Sequence, residues 1–178
     1  VTVLGAERSP QAADELHGLA RAVLERAGEQ CVRIACAESC TGGLLASLLT
    51  DVEGCSGAFE RGFVTYSDEA KAEMLGVDPV FIATRGAVSA AVAVAMASGA
   101  LINSRADIAV SITGYAGAPE PGGEEGEVHL ALVWPRGPDL QRECHFGQRG
   151  RDENRLLAAR AALEMLEEAL DQSVRPNA

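Results

Sequence analysis

The sequence predicts an α/β protein whose sheet is largely parallel and closes with an antiparallel hairpin. Three observations predict it. Short apolar runs alternate with segments of helical period, so the strands need crossover connections. The helical segments are long enough to provide them. The last two apolar runs are separated only by the turn signal Pro135-Arg-Gly-Pro-Asp139, which predicts a hairpin at one side of the sheet.

Residues 11–28 place Leu16, Leu19, Ala20, Val23 and Leu24 at helical spacing, with Gly28 as the expected C-cap. "CVRIACA" (31–37) predicts a buried strand, "TGGLLASLLTD" (41–51) a helix, "EGCSGAFERG" (53–62) a loop and "FVTY" (63–66) a second short strand. "SDEAKAEML" (67–75) predicts a helix with Ser67 as N-cap, ending at Gly76. Residues 86–105 form a long helical pattern of small residues suited to close packing. "DIAVSIT" (107–113) predicts a third strand, and "VHLALVW" (128–134) with "LQRECHF" (140–146) the hairpin. The last helix, 151–171, carries Leu156, Ala159, Leu163, Leu166 and Leu170 on one stripe. No internal repeat or linker interrupts 1–178, so one domain is expected, with mobile segments at 120–127 and in the tail "DQSVRPNA".

Composition excludes several classes. The chain is 47% hydrophobic but only 4% aromatic, so its core rests on Ala, Val, Leu and Ile. A formal net charge of -11 argues against a nucleic-acid partner, which needs a basic surface. A small ligand stays compatible, because a local cationic pocket can sit in an acidic protein. The five cysteines, Cys31, Cys36, Cys40, Cys55 and Cys144, are odd in number and form no C-x-x-C pair. That argues against a disulfide scaffold or a zinc site and for a reducing cytoplasm. No signal-peptide pattern opens the chain, and no apolar run reaches the roughly 20 residues of a membrane span. A homo-oligomer, dimer or higher, is left open.

Sites in open α/β sheets form beyond the carboxyl ends of the parallel strands. Three such ends carry unusual polar sequence: "ESCTGG", "TYSDEAK" and "TGYAG". In the first, Ser39 and Cys40 stand side by side before Gly42-Gly43, where a sharp turn and a helix start could hold an oxyanion or a phosphate. Taken alone, Ser39 or Thr41 reads as an ordinary helix cap. In the second, Tyr66 and Ser67 precede Lys71 in the first turns of a helix. A lysine placed there and buried can act as a neutral general base, although alone it reads as a solvated helix lysine. The third loop lacks the G-x-x-x-x-G-K-[ST] pattern and alone reads as a turn. Convergence of the three at one sheet edge outweighs each separate reading.

The histidines offer no serine triad. His17 belongs to the first helix, and His129 and His145 lie in hairpin strands not expected to end at this edge. A serine nucleophile would need a different base, and Ser with Lys is one such arrangement. Two other readings stay open: Cys40 as the nucleophile of another amidase, and a non-enzymatic module that binds a nucleotide or a partner.

"AESCTGGLLASLLT", "FERGFVTYSDEAKAEMLGV", "GAVS" and "TGYAG" resemble the signature of the CinA C-terminal domain family, over about residues 10–170. Its standalone members include nicotinamide-nucleotide amidohydrolases. The resemblance implies a three-layer α/β/α fold. It also implies hydrolysis of the carboxamide of nicotinamide mononucleotide to nicotinate mononucleotide and ammonia, with no metal or other cofactor. Carried over by position, the family's nucleophile falls on Ser39, its base on Lys71 and an orienting tyrosine on Tyr66. Backbone around Thr41, Gly42 and Gly43, next to Glu38, would hold the oxyanion. Thr113, Gly114 and Gly117, with Arg151 and Arg155, would hold ribose phosphate. The chain departs from the pattern in the third loop, where Ala118 replaces a proline and a downstream lysine is missing, and around Gln148, where an acidic residue is usual. No segment resembles the other domain of full-length family members, so that domain's activities are not carried over.

Overall fold

The computed structural model describes residues 10–54, 57–119 and 121–173. The elements run α1 (Pro10–Glu29), β1 (Ile34–Glu38), α2 (Leu44–Thr50), β2 (Phe59–Val64), α3 (Asp68–Leu75), α4 (Pro79–Arg85), α5 (Ala90–Ile102), β3 (Ile108–Gly114), β4 (Glu127–Val133), β5 (Leu140–His145) and α6 (Arg151–Ser173). The five strands lie in the order β2-β1-β3-β4-β5. β1 is parallel to β2 and β3, whereas β4 and β5 are antiparallel additions. The chain leaves β1 for one neighbour and returns past it to the other. β1 and β3 therefore flank the point where strand order reverses, which is where ligands bind in such sheets.

Helices cover both faces, giving the three-layer arrangement. On one face α1, α2 and α6 pack over Ile34, Cys36, Ile108, Val110, Ile112 and Leu130. On the other, α3, α4 and α5 pack over Ala35, Ala37, Ala109 and Ala131. Alternation of large and small residues along β1 and β3 follows the two-residue period of a strand. The small side suits α5, which approaches closely: a Cβ on Gly99 would lie 2.1 Å from the Leu75 carbonyl oxygen. The small-residue helix thus packs as its composition predicts, between α3 and the sheet.

Caps explain several boundaries. Ser67 Oγ accepts from Ala70 N–H, and Gly76 ends α3 in the left-handed region. At the end of α1 the left-handed residue is Cys31, at φ 54, rather than Gly28. Val32 N–H reaches the Ala27 carbonyl and Cys31 N–H the Gly28 carbonyl, the paired bonds of a Schellman ending. Ala27 and Val32 both enter the core, which holds the ending one turn beyond the glycine.

Three expectations change. β2 begins at Phe59, inside the stretch read as a loop, because Arg61 and Gly62 pair with Ala35 and Cys36. Gly62 is needed there: a Cβ would meet Ala46 Cβ at 3.0 Å and Cys36 Sγ at 3.2 Å. α4 had no counterpart in the sequence reading, yet it has an Asp78 cap and Pro79 in its first turn. The acidic segment expected to be mobile is tied down over its described part, where Phe146 N–H donates to Gly126 O and Gly150 N–H to Glu125 Oε1. The tail from 174 onward, Glu120 and Cys55 lie outside the described residues. Among the described residues, no helix is long and apolar enough to cross a membrane.

Candidate active site at the strand-order reversal

The turn after β1 is built around one buried carboxylate. Glu38 is fully buried, and its Oε2 accepts from Gly43 N–H and Leu45 N–H, both at 3.1 Å, while Oε1 accepts from Ala46 N–H at 2.8 Å. The start of α2 is therefore capped from upstream, with Gly43 at φ 90 as the N-cap residue and no cap hydrogen bond from its own side chain. Neither Ser39 nor Thr41 caps the helix. Nor does Glu38 face a ligand, in contrast to the carried-over role beside the oxyanion. Its charge is engaged with the backbone, where a carboxylate at a helix start is favourable.

Those bonds also decide which N–H groups remain. Gly42 N–H returns to the Ser39 carbonyl, Leu44 N–H to the Thr41 carbonyl, and Gly43 N–H to Glu38. The two glycines expected to hold an oxyanion through backbone N–H have theirs occupied. Among the described residues neither Thr41 N–H nor Cys40 N–H has a partner on another residue. Ser39 is held from below, since its N–H donates to Ile112 O at 3.0 Å. The residue is 8% exposed, and no hydrogen bond of its hydroxyl is found among the described residues. Ser39 sits directly after a strand on a sharp turn into a helix, a geometry that presents a hydroxyl at a sheet edge.

Cys40, beside it, packs into the core on the α1, α2 and α6 side. Burial above all, with the Glu38 carboxylate adding, pushes its thiol up to about 12, against weaker opposition from its own N–H and from Arg155 and Arg151. A thiol in that state is a poor nucleophile at neutral pH. Arg155 reaches this turn, with a terminal nitrogen 3.6 Å from where a Cβ on Gly42 would lie.

Lys71 is 2% exposed. The solvated-lysine reading is thus overturned. Its Nζ lies 3.2 Å from Asp68 Oδ1, one turn earlier on α3. Tyr66 stands apart at 64% exposed. β2 and β1 end together, Thr65 N–H donating to Glu38 O at 2.8 Å, so the Tyr66–Lys71 segment leaves the same edge as Ser39. The structure brings Ser39 and Lys71 to one edge without a hydrogen bond between them among the described residues. Catalytic contacts are commonly long without substrate.

The third loop divides its residues differently from the carried-over roles. Thr113 is buried and its Oγ1 donates to Ala87 O at 2.8 Å, tying β3 to the "GAVS" segment rather than facing a ligand. Gly114 is a packing glycine, since a Cβ would come within 2.6 Å of Glu127 O. Gly117 lies under Arg151, with a Cβ position 3.4 Å from its Nε. From α6, Arg155 donates to the Thr41 carbonyl through Nε at 3.1 Å and a terminal nitrogen at 2.6 Å. The arginines thus span the first and third loops.

Two residues escaped the sequence reading in their actual roles. Glu38 contacts backbone five to eight residues downstream, a spacing with no periodic signature. Asn154 is fully buried on α6 between the two arginines. Its signal was a polar residue heading the stripe Ala158, Ala161, Ala162 and Met165, all buried. The hairpin histidines also correct an expectation. β5 runs antiparallel and returns to this edge, so His145 pairs with Glu127, and His129 pairs with Thr113. Both are engaged with glutamates: His129 with Glu127, His145 with Glu124 and Glu143. Among the described residues no group of three or more His, Cys, Asp or Glu is arranged to hold a metal ion. A cavity of about 640 Å³ lies at the opposite end of the strands, lined by Gly28, Cys31, Val32 and Gly57 among others, and contains none of the candidate residues.

The model of the CinA C-terminal domain family matches residues 16–170. Nicotinamide-nucleotide amidohydrolase PncC of Escherichia coli K12 is 52% identical over 134 residues, which are 73% of this chain and 79% of that protein. A CinA-like protein of Akkermansia muciniphila is 44% identical over 155 residues, 85% of this chain but 37% of that longer protein. The crystal structure of competence/damage inducible protein CihA from Agrobacterium tumefaciens superposes with a TM-score of 0.85 at 44% identity, covering 89% of this chain and 96% of that one.

Proposed function

The chain belongs to the CinA C-terminal domain family, and on that premise we propose that it is a nicotinamide-nucleotide amidohydrolase, converting nicotinamide mononucleotide to nicotinate mononucleotide and ammonia. The observation that carries the activity is the 52% identity to the E. coli amidohydrolase over 134 residues. The site geometry supports a mechanism.

Ser39 Oγ attacks the carboxamide carbon, and Lys71 takes the hydroxyl proton. The C–N bond of the tetrahedral adduct breaks, and Lys71 returns the proton to the departing nitrogen, releasing ammonia. Water then attacks the acyl–Ser39 ester with Lys71 again as base, which frees the carboxylate product and restores the serine. The developing oxyanion is held by Cys40 and Thr41 N–H, the donors of the turn not bonded elsewhere to the protein backbone or to Glu38. Such preorganised donors act at the charge that appears only in the transition state. Tyr66 stands at the open mouth, where its phenol orients the amide or relays the proton. Arg151 and Arg155 hold the phosphate as planar cations suited to it. No step calls for a metal or any other cofactor, and the reaction belongs in the cytoplasm.

The test is ammonia release from nicotinamide mononucleotide, compared with nicotinamide and NAD. Release from the mononucleotide well above the other two is expected. Binding of the mononucleotide without ammonia release would favour a ligand-binding module instead.

A further inference from the structure

We propose that Asn154 is a positioning residue that sets the enzyme's affinity for the anionic end of its substrate. Arg151, Asn154 and Arg155 stand at i, i+3 and i+4 on α6 and therefore share one face. Asn154 points inward. Its Nδ2 donates to Ala116 O at 3.0 Å and to Gly147 O at 3.1 Å, which uses both hydrogens of the amide. One side chain thus joins three segments: the third loop, the connection from β5, and α6 itself.

What those bonds hold in place is specific. Ala116 is followed by Gly117, over which Arg151 lies. Gly147 lies in the connection that leads into Arg151. Arg155, the next residue along the helix, grips the Thr41 carbonyl. Asn154 therefore fixes the spacing between the loop that borders the phosphate and the guanidinium groups that would bind it. Core packing alone does not explain an amide here. The stripe below it is apolar, and Asn154 Oδ1 is buried without a partner among the described residues, a state that costs free energy. The nucleophile and base are anchored elsewhere, by Glu38 and by α3, so loss of Asn154 should reach binding before chemistry.

The inference rests on the reading of Arg151 and Arg155 as phosphate holders, and one set of measurements separates the two. Wild type, Asn154→Ala and Asn154→Ser are compared for calorimetric affinity toward nicotinamide mononucleotide, and for turnover of it and of the riboside that lacks the phosphate. Asn154→Ala should weaken mononucleotide affinity and raise its KM about tenfold, because the guanidinium groups lose their fixed spacing to the loop. Its kcat should stay within about threefold, and kcat/KM for the riboside should be unchanged. Asn154→Ser, which keeps one donor, should fall between, and it carries the test if the alanine variant does not fold. Equal losses on both substrates, or unaltered mononucleotide affinity, would overturn the inference. Absence of ammonia from wild type would instead sink the enzymatic reading, while affinity still decides the role of Asn154.

Discussion

The turns after β1 and after β2 leave the same sheet edge but are built in opposite ways. After β1, Glu38, Ser39, Cys40 and Thr41 are all buried, and a single carboxylate gathers three backbone N–H groups. After β2, Thr65 is buried against Glu38, Tyr66, Ser67, Asp68 and Glu69 are exposed, and Lys71 turns inward again. The first turn is a closed frame that fixes a hydroxyl. The second is an open rim that contributes one buried amine. Substitutions should therefore act through structure in the first and through chemistry in the second, with Ser39 the exception that proves separable from its frame.

Changes in the frame give the largest effects. Ser39→Ala should lower ammonia release by at least a thousandfold while changing unfolding free energy by less than about 1 kcal/mol, since its hydroxyl caps nothing. A folded Ser39→Ala protein with near-normal turnover would remove it from the mechanism. Glu38→Ala should destabilise the fold by about 4 kcal/mol, because three N–H groups around a buried site lose a charged acceptor. A denaturant midpoint close to wild type would show that the frame does not depend on this carboxylate.

Much of this contrast was written in the sequence, unevenly. α3 announced itself through Ser67 and Gly76, because caps are local and residue-specific. Placement of "ESCTGG", "TYSDEAK" and "TGYAG" at one edge followed from parallel strands alone. β2 was harder: as an edge strand with Arg61 and Gly62 exposed, it lacks the apolar alternation that marks a half-buried strand. Asp78-Pro79 was a readable helix start, but α4 has only seven residues and a single fully buried one, Ile82. Strand order, the upstream cap from Glu38 and the inward amide of Asn154 depend on tertiary neighbours, which no spacing encodes.

On the rim, Tyr66→Phe should leave thermal stability within about 0.5 kcal/mol of wild type, as expected at an exposed position, while lowering turnover about tenfold or more. Unchanged turnover would reduce Tyr66 to a bystander. The smallest effect belongs to Cys40. With its thiol pushed up to about 12, the thiolate fraction rises about tenfold per pH unit and stays near 1% even at about pH 10. Alkylating reagent at neutral pH should leave Cys40 unlabelled by mass spectrometry and turnover intact. Inactivation that tracks labelling of Cys40, in a protein whose Ser39→Ala variant still works, would transfer the nucleophile to the neighbouring residue.

The central claim is that the rim supplies a base to the frame, and turnover of Lys71→Arg against Lys71→Ala on nicotinamide mononucleotide tests it most directly. Arginine keeps the positive charge beside Asp68 but cannot give up its proton. A general base predicts that both variants lose activity to the same depth, with mononucleotide binding retained in the arginine form. A lysine that merely holds charge predicts an active Lys71→Arg enzyme beside a dead Lys71→Ala, and that result would contradict the account.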